Sequence, residues 1–299
     1  MVSEAIREEF YSTGAKVRIE EPMSRHLTFG VGGPAEFYIE VVDEQQLRDV
    51  LSIVRKRGLK LFIIGAGSNL LVRGEGIKGV VLRLKGFFSV IDYSGDGLNL
   101  KIGAGTMLQM AVKYSIDAGL SGFEYLAGIP GTVGGALLMN AGTKDGCISD
   151  SLVSVDMVDL WVNKKTRSRD EIKFDYRKSD LEGSIITGAE FKLKKSSREV
   201  LEKKITKIMI ERSKTQPLGT FNAGCIFKNP QGASAGKIID KCKLKKLKIG
   251  GAYVSDQHGN FIINDGKATP SDIERLIFEV RRRVVEKTGI SLELEIKII

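Results

Sequence analysis

The stretch Ala127–Gly142, AGIPGTVGGALLMNAG, limits what this chain can become more than any other. It holds Gly128, Gly131, Gly134, Gly135 and Gly142 and no charged side chain. Glycine has no Cβ, so its backbone approaches a bound group closely and reaches positive φ. Bare N–H donors at short range suit phosphate oxygens, and a helix start behind them adds to the effect. One reading is therefore a cradle for the diphosphate of a nucleotide cofactor. The other is a buried turn leading into a tightly packed helix, and glycine content alone leans slightly that way. The glycines, Pro130 and Asn140 interrupt a run already short of the ~20 apolar residues a membrane span needs.

The chain is long enough, at 299 residues, for two domains with cores of their own. With 42% hydrophobic and 28% charged residues it reads as globular. Lys+Arg exceed Asp+Glu by 46 to 37, a net +9 that favours anionic ligands. Much of that charge is dispersed, as at Arg281, Arg282 and Arg283, and no aromatic-plus-basic repeat accompanies it, so nucleic acid is not the expected partner. Cys147, Cys225 and Cys242 lie far apart with no CxxC pair, which fits a reducing cytosol. His26 and His258 are the only histidines, so a metal centre is not expected. The sequence MVSEAIREEF lacks the apolar core of a signal peptide. A cytoplasmic protein without membrane insertion is the expectation.

Read in order, residues 1–20 suggest a short amphipathic helix and lead-in. Gly30, Gly32, Gly33 and Pro34 mark a turn before a strand over Ala35 to Val41. Asp43 opens a helix whose Leu47, Val50, Leu51 and Val54 keep helical spacing until Gly58. Leu59 to Ile64 is a short apolar strand, followed by GAGSNLLV at Gly65 to Val72. A Rossmann fingerprint needs a helix there. The following LLVRGEGIKGVVLRL reads as turn and strand, so this is not one. The loop still offers backbone N–H groups with Ser68 and Asn69 to a phosphate; an ordinary tight loop is an equal reading.

Further strands are expected at Leu98 to Ile102, Leu152 to Val162 and Ser184 to Leu193. Thr106 is expected to cap a helix through Ala118, and polar Asn163 to Asp170 to form a hairpin tip. Short strands and helices without a regular βαβ period indicate α+β subdomains. Near Lys194 the composition shifts, a domain boundary, and a helix with Val200, Ile205, Ile208 and Met209 follows. Ser234 to Lys241 reads as a helix, and Asn260 to Asn264 as a strand. Thr269 and Pro270 supply an N-cap and first-turn proline for a helix through Lys287. In the terminal SLELEIKII, Leu292, Leu294, Ile296 and Ile298 share one strand face, and Glu293, Glu295 and Lys297 the other.

Three places combine reactive side chains with turn formers. In FDYRKSD, Arg177 can grip a carboxylate or phosphate in fork geometry, although a surface arginine explains it as well in isolation. In FNAGCIFKNP, Cys225 carries a thiol of ordinary pKa near ~8.5, protonated at neutral pH and able to donate. Cysteine is more often a small core residue; the flanking Asn222, Lys228 and Asn229 shift the reading toward a site. Glu293 and Glu295 are either the wet face of an edge strand or a catalytic acid, and spacing does not choose.

Seven ordered segments together resemble one family, UDP-N-acetylmuramate dehydrogenase, also called UDP-N-acetylenolpyruvoylglucosamine reductase or MurB. They are TFGVGGPA at 28–35, GAGSNLLV, AGIPGTVGGALLMNAG, YRKS at 176–179, NAGCIFKNP at 222–230, GGAYVSDQHGNFIIN at 250–264, and LELEIK near the end. The resemblance implies an α+β fold: an FAD-binding module of the vanillyl-alcohol-oxidase (PCMH) type over residues 1–195, in subdomains 1–82 and 83–195. A smaller α+β substrate domain over 196–299 follows, its terminal strand 291–299 returning to the flavin. It implies non-covalent FAD held by Gly65, Ala66, Gly67, Ser68, Asn69 and Leu70. The second loop would contribute Gly128, Ile129, Pro130, Gly131, Thr132, Gly134, Gly135 and Asn140. Neither loop holds the histidine or cysteine that covalent flavin attachment uses.

The implied reaction reduces UDP-N-acetylglucosamine enolpyruvate with NADPH, through FAD, in peptidoglycan precursor synthesis. Hydride goes to the vinyl CH2 carbon, and charge collects on the neighbouring carbon and its carboxylate. Preorganised cations and donors stabilise such charge. By resemblance, Arg177 and Glu295, the latter as a neutral carboxylic acid, polarise the substrate. Cys225 protonates the carbanion from a position where relatives carry serine or cysteine. Tyr176, Lys228, Asn229, Gln257 and Lys214 are the implied substrate or cofactor contacts, and a monomer is expected. Two alternatives stay open: another flavin oxidase or dehydrogenase of the same fold, and a basic phosphate- or nucleic-acid-binding protein without catalysis.

Overall fold

The computed structural model describes residues 4–94 and 97–299. The first three residues of the expected N-terminal helix lie outside that range; the helix runs Glu4–Tyr11. The chain divides into two compact units. One comprises 1–19, 36–66 and 78–209, the other 20–35, 67–77 and 210–299. The helix Arg198–Thr215 therefore contributes to both.

The first unit contains a four-stranded sheet in the order Lys16–Pro22, Pro34–Val41, Ile77–Leu84, Leu61–Ile63. The strand Leu61–Ile63 runs parallel to Ile77–Leu84, pairing Leu61 with Val80 and Ile63 with Leu82. The helix Glu44–Arg57 starts where Asp43 accepts a hydrogen bond from the Gln46 N–H, and it stops at Gly58, whose φ of 62° suits glycine. Its Leu47, Val50, Leu51 and Val54 are buried, and burial of each such side chain stabilises by about 1.5–3 kcal/mol. A second sheet, antiparallel throughout, has the order Lys164–Ser168, Leu152–Val158, Ile185–Lys192, Asn99–Gly103, Ile91–Ser94. Both sheets share one apolar core, from Phe10 and Phe37 through Leu100 and Val155 to Phe191 and Leu193.

Two local expectations need correction. Lys164–Ser168 is an edge strand, not a hairpin tip; Val158 pairs with Lys164 and Ser154 with Ser168. The tip is residues 159–163, tied by the Asp159 carboxylate, which accepts from the N–H groups of Trp161 and Asn163 and from the Asn163 amide. Polar side chains on a solvated edge strand erase the alternation that would have revealed it. Thr106 does not cap the next helix. That helix is Leu108–Asp117 with Met107 at its N-cap. The Leu108 N–H instead donates to the Gly131 carbonyl at 2.9 Å, so the glycine stretch does what a capping side chain would have done.

The second unit has a separate core built on Phe29, Leu71, Ile226, Phe227, Ile239, Val254, Leu276, Val280 and Ile296. A three-stranded antiparallel sheet orders Lys248–Ile249, Ala252–Val254 and Ile262–Asn264. Ser234 caps the helix Ala235–Lys241. Thr269 and Asp272 form a reciprocal capping box on the helix Pro270–Thr288, which ends at Gly289 with φ 70°. The terminal segment forms regular strand only at Lys297–Ile298, parallel to Leu70–Leu71. Upstream, Leu292 and Ile296 are buried while Glu293 is exposed, so the expected alternation survives without a long ladder.

Candidate functional site

Gly65, where the first glycine loop begins, meets the second glycine loop inside the first unit. Thr132 caps the short helix Val133–Leu138, accepting a hydrogen bond from the Gly135 N–H. A Cβ built on Gly65 would lie 2.4 Å from the Thr132 Oγ1, so position 65 admits no side chain without displacing the cap. Gly128 and Gly131 have φ of 75° and 146°, where glycine is favoured. Val133 and Leu137 are buried, and a Cβ on Gly134 would sit 3.0 Å from the Cβ of Ala104. The packed-helix reading of this stretch therefore holds: part of its glycine content is a packing requirement.

Sequence reading gave Thr106 only the role of a helix cap and no place beside the glycine stretch. The Thr106 carbonyl accepts from the Val133 N–H, and its buried Oγ1 has no hydrogen-bond partner among the described residues. Asn140, at the far end of the stretch, has φ 43°; its Nδ2 donates to the Asp175 carbonyl, and its buried Oδ1 has no partner. The only hint of Thr106 in the sequence is its place directly after Gly103 and Gly105, which read as the end of a strand.

Phe174–Asp175 and Lys178–Ser179 pair as a hairpin whose two-residue tip is Tyr176 and Arg177. Ser179 Oγ donates to the Leu138 carbonyl, and Arg177 Nη1 to the Gly142 carbonyl at 3.0 Å. The tip thus docks on the end of the glycine stretch. Arg177 has φ 57°, a left-handed conformation uncommon for a side chain of this size and concentrated at functional positions. Its guanidinium lies 5.3 Å from the Tyr176 ring centroid, a cation–π contact.

In the second unit the Cys225 segment and the terminal segment lie side by side. Phe227 bridges Leu294, the Glu295 N–H donates to the Ile226 carbonyl at 2.8 Å, and the Lys228 N–H donates to the Glu293 carbonyl. Glu295 is thereby set opposite Ile226, one residue from Cys225. On the other side, the Asn69 amide donates to the Glu295 carbonyl at 3.1 Å, and the Asn69 carbonyl accepts from the Lys297 N–H at 3.0 Å. Cys225 bridges Phe261 in turn. Buried Asn260 pins this stretch: its side chain exchanges hydrogen bonds with both backbone groups of Phe227.

The remaining sequence candidates in this unit fall into two groups. Lys228 pairs with the exposed Glu293 at 3.4 Å, and Asn229 Oδ1 accepts from the Ala235 N–H at the start of a helix. Gln257 donates to the Ser213 carbonyl, which places it beside Lys214 in the last turn of the helix Arg198–Thr215. Arg177, Gly65, Ala66 and 128–140 belong to the first unit. Residues 67–70, Lys214, Cys225, Lys228, Asn229, Gln257 and Glu295 belong to the second.

Residues 35–161 match the model of an FAD-binding domain, and residues 216–299 match the C-terminal domain of UDP-N-acetylenolpyruvoylglucosamine reductase. A UDP-N-acetylenolpyruvoylglucosamine reductase of Desulfosudis oleivorans is 39% identical over 95% of both chains. One of Moorella thermoacetica is 40% identical over 96% of this chain and 95% of its own. The crystal structure of UDP-N-acetylenolpyruvylglucosamine reductase (MurB) from Thermus caldophilus superposes with a TM-score of 0.82 at 38% identity, covering 95% of this chain and 98% of that one. The α+β architecture described above is that FAD-binding fold joined to the reductase's own C-terminal domain. On this agreement of sequence, length and fold, the chain belongs to the UDP-N-acetylenolpyruvoylglucosamine reductase family.

Proposed function

We propose that this protein uses FAD and NADPH to reduce the enolpyruvyl ether of UDP-N-acetylglucosamine to UDP-N-acetylmuramate, supplying a peptidoglycan precursor. The single observation that carries this reading is near full-length identity to reductases of that name.

The first unit fits FAD. A hydroxyl or amide left unpaired in the interior costs about 1–3 kcal/mol, and two such groups, Thr106 Oγ1 and Asn140 Oδ1, adjoin the glycine loops. Thr106 can donate to a phosphate oxygen, and Asn140 Oδ1 can accept from a hydroxyl or amine of the cofactor. Because position 65 carries no Cβ, the backbone there lies close against Thr132 of the second loop. Gly65–Leu70 (Asn69 through its backbone alone) and Gly128–Gly135, with Asn140, are the proposed cofactor contacts.

When bound, the flavin supplies the hydride. The protein's own work is to bind the enolpyruvyl group, spread its developing negative charge and deliver one proton. Arg177, anchored on the Gly142 carbonyl, offers its guanidinium to the substrate carboxylate. Glu295, held through its backbone on both sides, offers a carboxylic acid to the same charge. Cys225 hands its thiol proton to the carbon bearing the ether oxygen. Tyr176, Lys214, Lys228, Asn229 and Gln257 are proposed to hold the sugar nucleotide. Among the described residues no helix is long and apolar enough to cross a membrane; we propose a monomer in a reducing cytoplasm.

The test is direct. The purified protein should carry visible flavin absorbance and oxidise NADPH in step with the added enolpyruvyl sugar nucleotide, the product gaining two hydrogens. Flavin that is reduced by NADPH yet leaves the alkene untouched would point to another dehydrogenase of this fold. A colourless protein that binds phosphates would leave only a binding role.

A further inference from the structure

Asn69 belongs to the loop proposed to cradle the cofactor, yet its side-chain amide is turned away from that task. Nδ2 donates to the Glu295 carbonyl at 3.1 Å, and the Asn69 carbonyl takes the Lys297 N–H at 3.0 Å. The two bonds straddle Ile296, itself buried in the core of the second unit. Beyond them the ladder continues: Lys297 pairs with Leu70 and Ile298 with Leu71, and the Ile299 carbonyl accepts from the Arg73 N–H at 2.8 Å. On its opposite edge Glu295 is held by the Ile226 carbonyl. The peptide of Glu295 is therefore clamped between the cradle loop and the Cys225 segment. The Asn69 amide holds this clamp from a side chain; the other bonds named above are backbone to backbone.

We infer that Asn69 is a positioning residue for the alkene-reducing step, fixing the Glu295 carboxyl through its backbone rather than serving the cofactor with its side chain. This rests on the proposed role of Glu295. The physical argument is one of direction. Hydrogen bonds to the N–H and to the carbonyl of one residue restrain the two peptide planes that flank its Cα, and so direct the Cα–Cβ vector of Glu295. Removing the Asn69 amide takes away its hydrogen bond to the carbonyl at 295 while the ladder beyond it persists. A carboxyl displaced by ~1 Å loses about a hundredfold in catalytic effect.

The experiment compares Asn69→Ala and the near-isosteric Asn69→Asp, which cannot donate, with Glu295→Gln and the double variant Asn69→Ala/Glu295→Gln. Rapid-mixing rates are measured separately for flavin reduction by NADPH and for reoxidation by the enolpyruvyl sugar nucleotide. Hydrogen exchange is followed over residues 292–299. The expected result is a ten- to hundredfold slower reoxidation in both Asn69 variants, with FAD content and flavin reduction within twofold of the parent. Exchange should quicken in the terminal segment, and the double variant should be no slower than Glu295→Gln alone. Equal loss of FAD content and of both half-reactions would make Asn69 a cofactor ligand and overturn the inference. Unchanged reoxidation in the Asn69 variants would overturn it too, even where Glu295→Gln is slow. If Glu295→Gln reoxidises at the parental rate, the role of Glu295 itself falls, a different outcome from either.

Discussion

Arg177 reaches back 35 residues to donate from Nη1 to the Gly142 carbonyl, and this bond joins the guanidinium to the end of the glycine stretch. The consequence is an anchored fork: one nitrogen is held by the Gly142 carbonyl, and the planar guanidinium is proposed to grip a carboxylate as well. Lysine has no second nitrogen to divide between those tasks. Arg177→Lys should slow reoxidation of the reduced enzyme by substrate at least tenfold and raise the substrate KM, while NADPH still reduces the flavin. Parental reoxidation in Arg177→Lys would show that a point charge suffices and that the fork is irrelevant.

The cradle carries its own internal control. At Gly65 a Cβ would meet Thr132 Oγ1 at 2.4 Å, so Gly65→Ala should lower FAD content sharply. Adding Thr132→Ala removes the clashing oxygen, at the loss of a helix cap worth about 0.5–2 kcal/mol. The double variant should therefore recover part of the lost FAD while melting lower than the parent. Spectral titration of the apoprotein with FAD checks both. A double variant that binds no better than Gly65→Ala would mean the glycine is needed for backbone conformation instead.

At Cys225 the prediction separates chemistry from packing. Serine keeps a proton to donate, so Cys225→Ser should retain measurable turnover. Cys225→Ala should lose most turnover while flavin reduction by NADPH persists. Stopped-flow absorbance resolves the two half-reactions, and equal damage to both in Cys225→Ala would identify the thiol as a structural residue.

Acid should loosen the second unit through His258. Burial lowers the pKa of its imidazole below the usual value, with the charge of Lys245 adding to the effect. Its Nδ1 accepts from the Asn260 N–H at 3.2 Å, a bond that only the neutral ring can accept. The unfolded chain thus binds the proton more readily than the folded one, so stability is full above ~6.5 and falls as pH drops from there toward the lower folded value. The melting temperature should decline as pH falls below about 6.5, and His258→Gln should flatten that slope. A melting temperature that rises on acidification through this window would contradict the assignment.

Much of the scaffold was legible because its signals are local. Asp43, Gly58, Thr269 and Pro270 act within one helical turn, so the caps and stops read at these positions are present. The loop after Ile64 was read as non-Rossmann from the turn-and-strand pattern behind it, and Leu70–Leu71 and Ile77–Leu84 are indeed strands. Thr106 failed as a cap because the partner that replaced it, the Gly131 carbonyl, lies 23 residues from Leu108 along the chain. Lys164–Ser168 failed as a loop because a wet edge strand carries no alternation.

What the sequence by itself determined was the inventory: two glycine loops, an arginine at a turn, a thiol among polar neighbours, an acid on a terminal strand, and the family to which that ordered set belongs. Tertiary structure alone decided how those pieces are held. The tip of Tyr176 and Arg177 sits on Gly142, Thr132 leaves no room at position 65, and Asn69 takes hold of Glu295 across 226 residues. Helical and strand periodicity record which side a residue faces; hydrogen bonds between segments far apart in the chain leave no periodic trace, because each depends on how the whole backbone closes on itself.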